Sequence, residues 1–173
     1  RPPPWFNEGR LILLPKIAGG LAEIAQTRPI TISNVAARLI AKAVQVKLEP
    51  LLCTNLHASQ VGCIPGRSGA EHIEAITESF YSHSEASPPQ SCYLLAVDLA
   101  KAFDSVSETF LQAAFAHFGA PVWAQQAVAA LHHDVTILIG PPSGPEGPQA
   151  VVKTTRGLKQ GCPLSPLLFA IAM

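Results

Sequence analysis

Residues 93–106 constrain the fold most, because an apolar run in this segment ends abruptly in a carboxylate. Five apolar residues between polar neighbours predict a buried strand, and Asp98 follows them directly. Burying an unpaired carboxylate is very costly, so Asp98 is expected where the strand ends and a site opens. A rigid strand end is a common support for a metal ligand or a nucleophile. Asp104 supplies a second carboxylate, directly after the aromatic Phe103.

Composition limits the class of protein. With 173 residues, 48% of them hydrophobic, the chain is long enough to bury a sizeable core in one domain. Only 14% of the residues are charged and the net charge is zero, so a broadly basic nucleic-acid-binding surface is not indicated. A local basic patch remains compatible with a neutral chain.

The spacing of the cysteines predicts the cellular compartment of the protein, and the two ends of the sequence predict that it is a fragment. The four cysteines form no C-x-x-C pair, which disfavours zinc and predicts reduced thiols in an intracellular protein of the nucleus or cytoplasm. No apolar run reaches transmembrane length, so no membrane partner is expected. The sequence begins at Arg1 and ends at Met173 inside a predicted helix, so we expect a fragment of a longer protein.

The first half of the chain predicts two short strands, joined by a hairpin or a longer loop, and then two helices. Residues 10–15 and 28–33 have strand patterns, and Asn34 is placed to cap a helix that Pro50 is expected to end or kink. Ser68 and Glu71 have the spacing of a capping box, which predicts a second helix from there to about residue 82.

The second half predicts helices and a hairpin. Helices are expected over 107–118, with Gly119 as the C-terminal cap, and from Pro121 to about residue 132. Strand patterns at 135–139 and 150–154 flank a Pro/Gly loop suited to a hairpin, and a loop over 156–163 leads into a terminal helix. Strands and helices do not alternate regularly, so the predicted fold class is α+β.

Several ordered blocks resemble one family. Leu14-Pro15-Lys16 precedes Arg28-Pro29-Ile30, and three longer blocks follow: SQVGCIPGRS at 59–68, VDLAKAFDSV at 97–106 and RGLKQGCPLSPLLF at 156–169. In this order and spacing they resemble the reverse transcriptase domain of non-LTR retrotransposons (long interspersed elements) and the related group II intron enzymes. The resemblance spans nearly the whole chain.

The resemblance implies a partial right-hand polymerase fold, with fingers and part of the palm and without the thumb. It assigns residues 1–91 to the fingers and 92–118 to the first catalytic strand and helix of the palm. Residues 119–155 would form a helix and hairpin linking palm and fingers. Residues 156–173 would return to the palm as the nucleotide loop and the start of a helix.

The resemblance also implies an RNA-directed DNA polymerase that uses an RNA template, a DNA primer, deoxynucleoside triphosphates and two Mg²⁺ ions. Asp98 matches the first metal-binding aspartate, with the backbone carbonyl of Leu99 also facing metal. Phe103 matches the aromatic residue under the incoming sugar, which disfavours a 2′-hydroxyl. The remaining matches contact the triphosphate (Lys16 and Arg28), the nucleotide and template (Gln160 and Gly161) or nucleic acid (Arg156).

Physical chemistry agrees with these roles. Phosphoryl transfer depends on positioning and charge neutralisation, and Arg offers a planar fork for phosphate oxygens. Arg67 lies just before a predicted helix, where its charge opposes the helix dipole, so a template phosphate is a reasonable partner. Asp104 is predicted to be structural, bonding local backbone, and Lys101 to be solvated.

One departure from the family limits the prediction. The resemblance implies a second catalytic block, an aromatic-x-Asp-Asp hairpin, and this sequence contains none. We therefore expect the isolated chain to be inactive, and a degenerate retroelement remnant with at most nucleic-acid binding is the alternative. An aspartyl-phosphate phosphatase would need a second Asp at position 100, which is Ala100, and Phe103 argues against a viral RNA-directed RNA polymerase.

Overall fold

A computed structural model describes residues 2–16, 23–88, 90–140 and 150–173. Short 3₁₀ turns occupy Pro4–Asn7 and Ile24–Gln26. The strands are β1 (Glu8–Pro15), β2 (Thr27–Ser33), β3 (Val135–Ile139) and β4 (Ala150–Thr154). The helices are α1 (Val35–Cys53), α2 (Ala70–Glu85), α3 (Ala102–Ser105), α4 (Glu108–His117), α5 (Val122–His132) and α6 (Ser165–Ala172).

The four strands form one mixed sheet in the order β2-β1-β3-β4. β1 pairs antiparallel with β2, and β3 pairs antiparallel with β4, as the strand patterns predicted. β1 and β3 join the two hairpins in parallel, with Gly9 opposite Ile137. β2 is therefore an edge strand, with one row of backbone groups available to a loop.

The hydrophobic core lies among α1, α4, α5 and α6. Leu48 and Leu52 of α1, Phe115 of α4 and Leu168 of α6 are fully enclosed or nearly so. Asn34 caps α1 through its side chain, which accepts from the backbone N–H of Ala36 at 2.8 Å. This core supports the loop that leads into α6.

Several element predictions are confirmed in their essentials. Ser107 caps α4 by accepting from the N–H of Phe110, and Gly119 follows the helix with φ +64°, the left-handed conformation that glycine adopts freely. Pro121 precedes α5, which ends at His132 as predicted. Mixed helix and strand content agrees with the α+β prediction at this coarse level.

The predicted buried strand before Asp98 is wrong in this structure. Residues 90–99, here called the Asp98 segment, form neither helix nor strand, and Tyr93 and Leu95 are 90% and 86% exposed. A strand needs a neighbour to complete its hydrogen bonds. The four strands of the sheet pair with one another, and no described strand lies beside this segment.

Helix α2, like the Asp98 segment, is not packed against the hydrophobic core. It contains no buried residue, although Ile73, Ile76 and Phe80 have helical spacing. The predicted capping box is also wrong, because Gly69 is the N-cap residue and the helix starts one residue later. The Ser68 hydroxyl accepts from the N–H of Ala70 at 3.2 Å instead.

Pro50 neither ends nor interrupts α1, which continues to Cys53. Proline removes one backbone donor from a helix, but Leu52 in the same last turn is fully buried in the core. The burial of Leu52 is sufficient reason for the helix to continue. Among the described residues, none of the helices combines the length and apolar character needed to cross a membrane.

Candidate functional site

Residues 156–162, here called the Gln160 loop, are fixed by backbone hydrogen bonds to two distant parts of the chain. The N–H groups of Gly157 and Leu158 donate to the carbonyls of Val106 and Phe103, each at 2.9 Å. On the other side, the N–H of Thr31 donates to the carbonyl of Gln160 at 2.7 Å. The loop therefore joins the edge of β2 to α3 and the residue that follows it.

Two glycines allow these close approaches. Gly161 has φ +111°, and a Cβ built there would lie 2.6 Å from the carbonyl oxygen of Thr31. Gly157 has φ +91°, and its Cβ would lie 3.0 Å from the backbone of Asp104. Both the conformation and the lack of space at Gly161 require glycine, whereas at Gly157 the positive φ is the main requirement and the space is merely tight.

The buried side chain of Lys159 connects the Gln160 loop to the end of α5. Lys159 is buried, and its Nζ donates to the carbonyl of Leu131, near the end of α5, at 2.8 Å. Burial lowers the pKa of this amine. Asn7 donates to two further carbonyls at the same helix end, those of Ala130 and His133. A helix C-terminus carries partial negative charge, so these donors stabilise it.

His132 lies at the same helix end; the residue is half-buried, and both of its ring nitrogens are shielded from solvent. Burial, with a smaller contribution from the Lys159 charge, lowers the pKa of its ring to about 3. The imidazole is therefore neutral at physiological pH.

Phe103 has the clearest aromatic contact near the loop. Its ring stacks on Phe169 of α6, with ring centroids 4.7 Å apart and an interplanar angle of 19°. Offset stacking of this kind stabilises the pair beyond simple area burial. Phe103 is half-buried, so α6 supports one side of a ring that sits directly before Asp104.

Asp104 meets the side chain of Gln160. Gln160 Nε2 donates to Asp104 Oδ1 at 3.4 Å, across 56 positions of sequence. Both residues line a recess of about 100 Å³ together with Thr31 and Arg156. Arg156 is exposed at the mouth of the loop. The structure thus brings Phe103, Asp104, Gln160 and Gly161 into one neighbourhood.

Lys16 and Arg28 lie at the far end of the β1–β2 hairpin. Arg28 is exposed and faces Leu14 in the register, and the backbone N–H of Lys16 donates to the carbonyl of Gln26. Residues alternate faces along a strand, so Arg28 lies on the opposite face from Thr31. The two cations are neighbours on the hairpin, and the Gln160 loop attaches farther along the same strand.

Arg67 has a structural environment. Its two terminal nitrogens donate to four backbone carbonyls, those of Cys53 and Leu56 around the end of α1 and those of His57 and Gln60 in the next loop. Cationic donors near a helix C-terminus satisfy its last carbonyls. The predicted contact of Arg67 with nucleic acid stays a prediction, and in this structure Arg67 organises the loop that follows α1.

Asp98 and Leu99 lie on the exposed Asp98 segment, away from any sheet. A carboxylate and a backbone carbonyl are hard oxygen donors, which is the donor chemistry that Mg²⁺ prefers. Within the described ranges, no three His, Cys, Asp or Glu residues are grouped so as to hold a metal ion. The donors of Asp98 and Leu99 fit the ion, but the described part of the chain does not supply a complete ligand set.

Sequence reasoning missed three contributors to this site: Thr31, Lys159 and Phe169. No local pattern distinguishes Thr31 from its strand neighbours, and Phe169 has the pattern of an ordinary core aromatic. Lys159 offered one signal in the sequence, because it lies between Leu158 and Cys162, two residue types that are often buried. The structure does bury both, and a lysine buried with them needs a hydrogen-bond partner.

Comparisons with known proteins agree on one kind of relative. The sequence model of the family described as "Reverse transcriptase (RNA-dependent DNA polymerase)" matches residues 15–173. The chain is 30% identical, over 97% of its length, to the "Retrovirus-related Pol polyprotein from type-1 retrotransposable element R2" of Popillia japonica. It is 27% identical, over 94% of its length, to the "Transposon TX1 uncharacterized 149 kDa protein" of Xenopus laevis. The chain spans 22% of the first relative and 12% of the second.

Proposed function

The chain belongs to the reverse transcriptase (RNA-dependent DNA polymerase) family, and on that premise we propose that it is part of a retroelement polymerase that copies RNA into DNA. The substrates would be deoxynucleoside triphosphates, with an RNA template and a DNA primer. We also propose that this chain is divided into fingers and palm as the family resemblance implies. The Gln160 loop would then lie where the two parts meet, because it is bonded to β2 and to the chain around α3.

A single structural observation carries the proposal. Three blocks that lie far apart in sequence meet at the Gln160 loop: β2 through Thr31, α3 through Phe103 and Asp104, and the loop itself. Polymerisation needs an incoming nucleotide to be held between parts of the protein in a fixed geometry. A loop fixed by short hydrogen bonds and two obligatory glycines is suited to that task.

The residue roles follow from chemistry and exposure. Gln160 offers amide donors and acceptors, and Gly161 lets backbone approach a base pair closely. The half-buried ring of Phe103, backed by Phe169, would exclude a 2′-hydroxyl. Lys16 and Arg28 would bind the triphosphate, and Arg67 and Arg156 the nucleic-acid backbone.

Asp98 and the Leu99 carbonyl would hold Mg²⁺, together with the substrate phosphates and waters that this ion usually retains. When bound, the ions activate the primer hydroxyl and neutralise charge on the phosphates. The chain's own contribution is to hold the nucleotide, exclude the ribose form and present the carboxylate of Asp98.

A degenerate remnant with at most nucleic-acid binding is the second candidate. One observation favours it: Asp98 lies on an exposed, unpaired segment without a group of metal-binding side chains among the described residues.

We propose the nucleus or cytoplasm as the compartment of the protein, because its four cysteines are free thiols.

Primer extension on an RNA template with Mg²⁺ tests the proposal, using the longest natural polypeptide that contains this chain. We expect extension by that polypeptide, its loss on Asp98→Ala, and none from the 173-residue chain alone. Glu78→Ala, which removes an exposed carboxylate from α2, is the matched control and should extend normally. Unchanged extension by Asp98→Ala would overturn the assignment, and no extension by the unaltered polypeptide would favour the remnant.

A further inference from the structure

Asp104 and Gln160 face each other because the backbone on both sides is fixed. The Gln160 carbonyl is held by Thr31 at 2.7 Å. The Asp104 backbone lies close to Gly157, where a Cβ would be only 3.0 Å from it, and the positive φ of Gly157 also favours glycine. The 3.4 Å hydrogen bond between the two side chains therefore joins two anchored positions.

A second glutamine–carboxylate pair in the molecule provides a comparison. Gln112 Nε2 donates to Glu108 Oε1, also at 3.4 Å, but these residues are four apart on the exposed face of α4. Such a helical pair is a local contact of small value. The pair at Asp104 is also exposed and, like the helical pair, lines a recess, but it joins positions 56 apart, one of them in a loop bonded to β2.

We propose that Asp104 is a positioning residue that sets the orientation of the Gln160 amide toward the incoming nucleotide. An ionised carboxylate can only accept hydrogen bonds, so it selects the Nε2 side of the amide. That choice leaves Gln160 Oε1 and the second N–H for a ligand. The inference rests on the proposed function, because it takes the ligand of Gln160 to be a deoxynucleoside triphosphate.

The first test needs no substitution. In the unaltered 173-residue chain, ¹⁵N relaxation of side-chain amides reports how firmly each glutamine is held. The Gln160 amide should show a high heteronuclear NOE, and the amide of Gln126, which is exposed on α5, should show a low one. Equal, low values for both would overturn the pairing of Gln160 with Asp104.

Substitutions then separate positioning from general structure. Asp104→Ala should lower the NOE of Gln160 to that of Gln126, and Asp104→Asn should restore most of it, because Asn keeps one acceptor oxygen. Glu108→Ala is the matched control: it removes the partner of Gln112 and should leave Gln160 unchanged. Failure of Asn to rescue the NOE, with the backbone spectrum intact, would overturn the role of the acceptor.

Binding of Mg²⁺–dATP to the longest natural polypeptide that contains this chain tests the consequence for the ligand. Loss of one positioning hydrogen bond should weaken binding about three- to tenfold in Asp104→Ala, with recovery in Asp104→Asn and no change in Glu108→Ala. Equal affinity in Asp104→Ala would overturn the positioning role. If that polypeptide, unaltered, binds no nucleotide, the proposed function fails, whereas the relaxation measurement still decides whether Asp104 orients Gln160.

Discussion

The Gln160 loop and the Asp98 segment carry the two ends of the proposed active site, and they differ sharply in support. The loop is fixed by short hydrogen bonds to β2 and to the chain around α3, with a buried lysine beneath it. The Asp98 segment is irregular and mostly exposed, and α2, which precedes it in the chain, has no buried residue. The half proposed to contact the nucleotide is thus fixed by contacts among the described residues, whereas the half proposed to bind metal has few such contacts.

Leucine truncation should give the largest contrast between the two regions. Leu168→Ala in α6 removes a fully buried side chain and should cost about 2–5 kcal/mol of unfolding free energy. Leu95→Ala in the Asp98 segment, where the side chain is 86% exposed, should change it by less than about 0.5 kcal/mol. Urea unfolding followed by circular dichroism measures both, and a comparable loss in Leu95→Ala would mean that the segment is packed in solution.

Glycine substitution gives the next largest effect and tests the loop alone. Gly161→Ala forces a side chain into φ +111° and against the Thr31 carbonyl, so we expect a loss of about 1–3 kcal/mol. Gly62→Ala, where the nearest heavy atom lies 4.0 Å away, should change stability by less than about 0.5 kcal/mol. Equal stability of the two variants would show that the close contact between the Gln160 loop and β2 is not maintained.

Acid should destabilise the supported region through His132. Its folded pKa of about 3 lies below the ordinary value of 6.5, so the unfolded chain binds the proton more readily. The stability from keeping this ring neutral is complete above pH 6.5 and is lost as the pH falls from 6.5 toward 3. By pH 5 the loss should reach about 2 kcal/mol.

The neighbouring histidine provides the control for that measurement. His133→Gln, at an exposed side chain, is the matched control, and His132→Gln should change the acid slope of the unfolding free energy more than this control does. His132→Gln should flatten the slope between pH 6.5 and pH 5. If both variants keep the slope of the unaltered chain, its source lies in other groups.

The contrast between regions also explains which predictions from sequence were confirmed. β1 to β4, α1, α4 and α5 were predictable because caps, prolines and alternation are local signals, and their partners lie within the chain. The strand before Asp98 had an equally good local pattern, but pairing is not local and no described strand lies beside it. Propensity alone does not decide a strand.

Some residues of the candidate site were predictable from local sequence blocks, whereas the contacts between them were not. Phe103, Gln160 and Gly161 were predicted from sequence blocks, and the structure brings them into one neighbourhood. Asp104 was predicted to bond local backbone, whereas its carboxylate accepts from a side chain 56 positions away. No spacing rule reveals such a contact, because it depends on how β2, α3 and the loop come together. The same holds for Thr31, whose role depends on an edge strand meeting a distant loop.

The hydrogen bond between Thr31 and Gln160 has a consequence for synthesis of the chain. Thr31 leaves the ribosome long before Gln160, which accepts its hydrogen bond. Asn7 is likewise made long before Ala130 and His133, whose carbonyls accept from its side chain. Contacts between distant positions must overcome loop-closure entropy before they stabilise anything, which makes them slow to form. The β1–β2 hairpin is therefore made before the hydrogen-bond acceptors of the Thr31 N–H and the Asn7 side chain exist. Its completion waits for residues more than a hundred positions further along, so this sheet edge is finished only after Gln160 has been made.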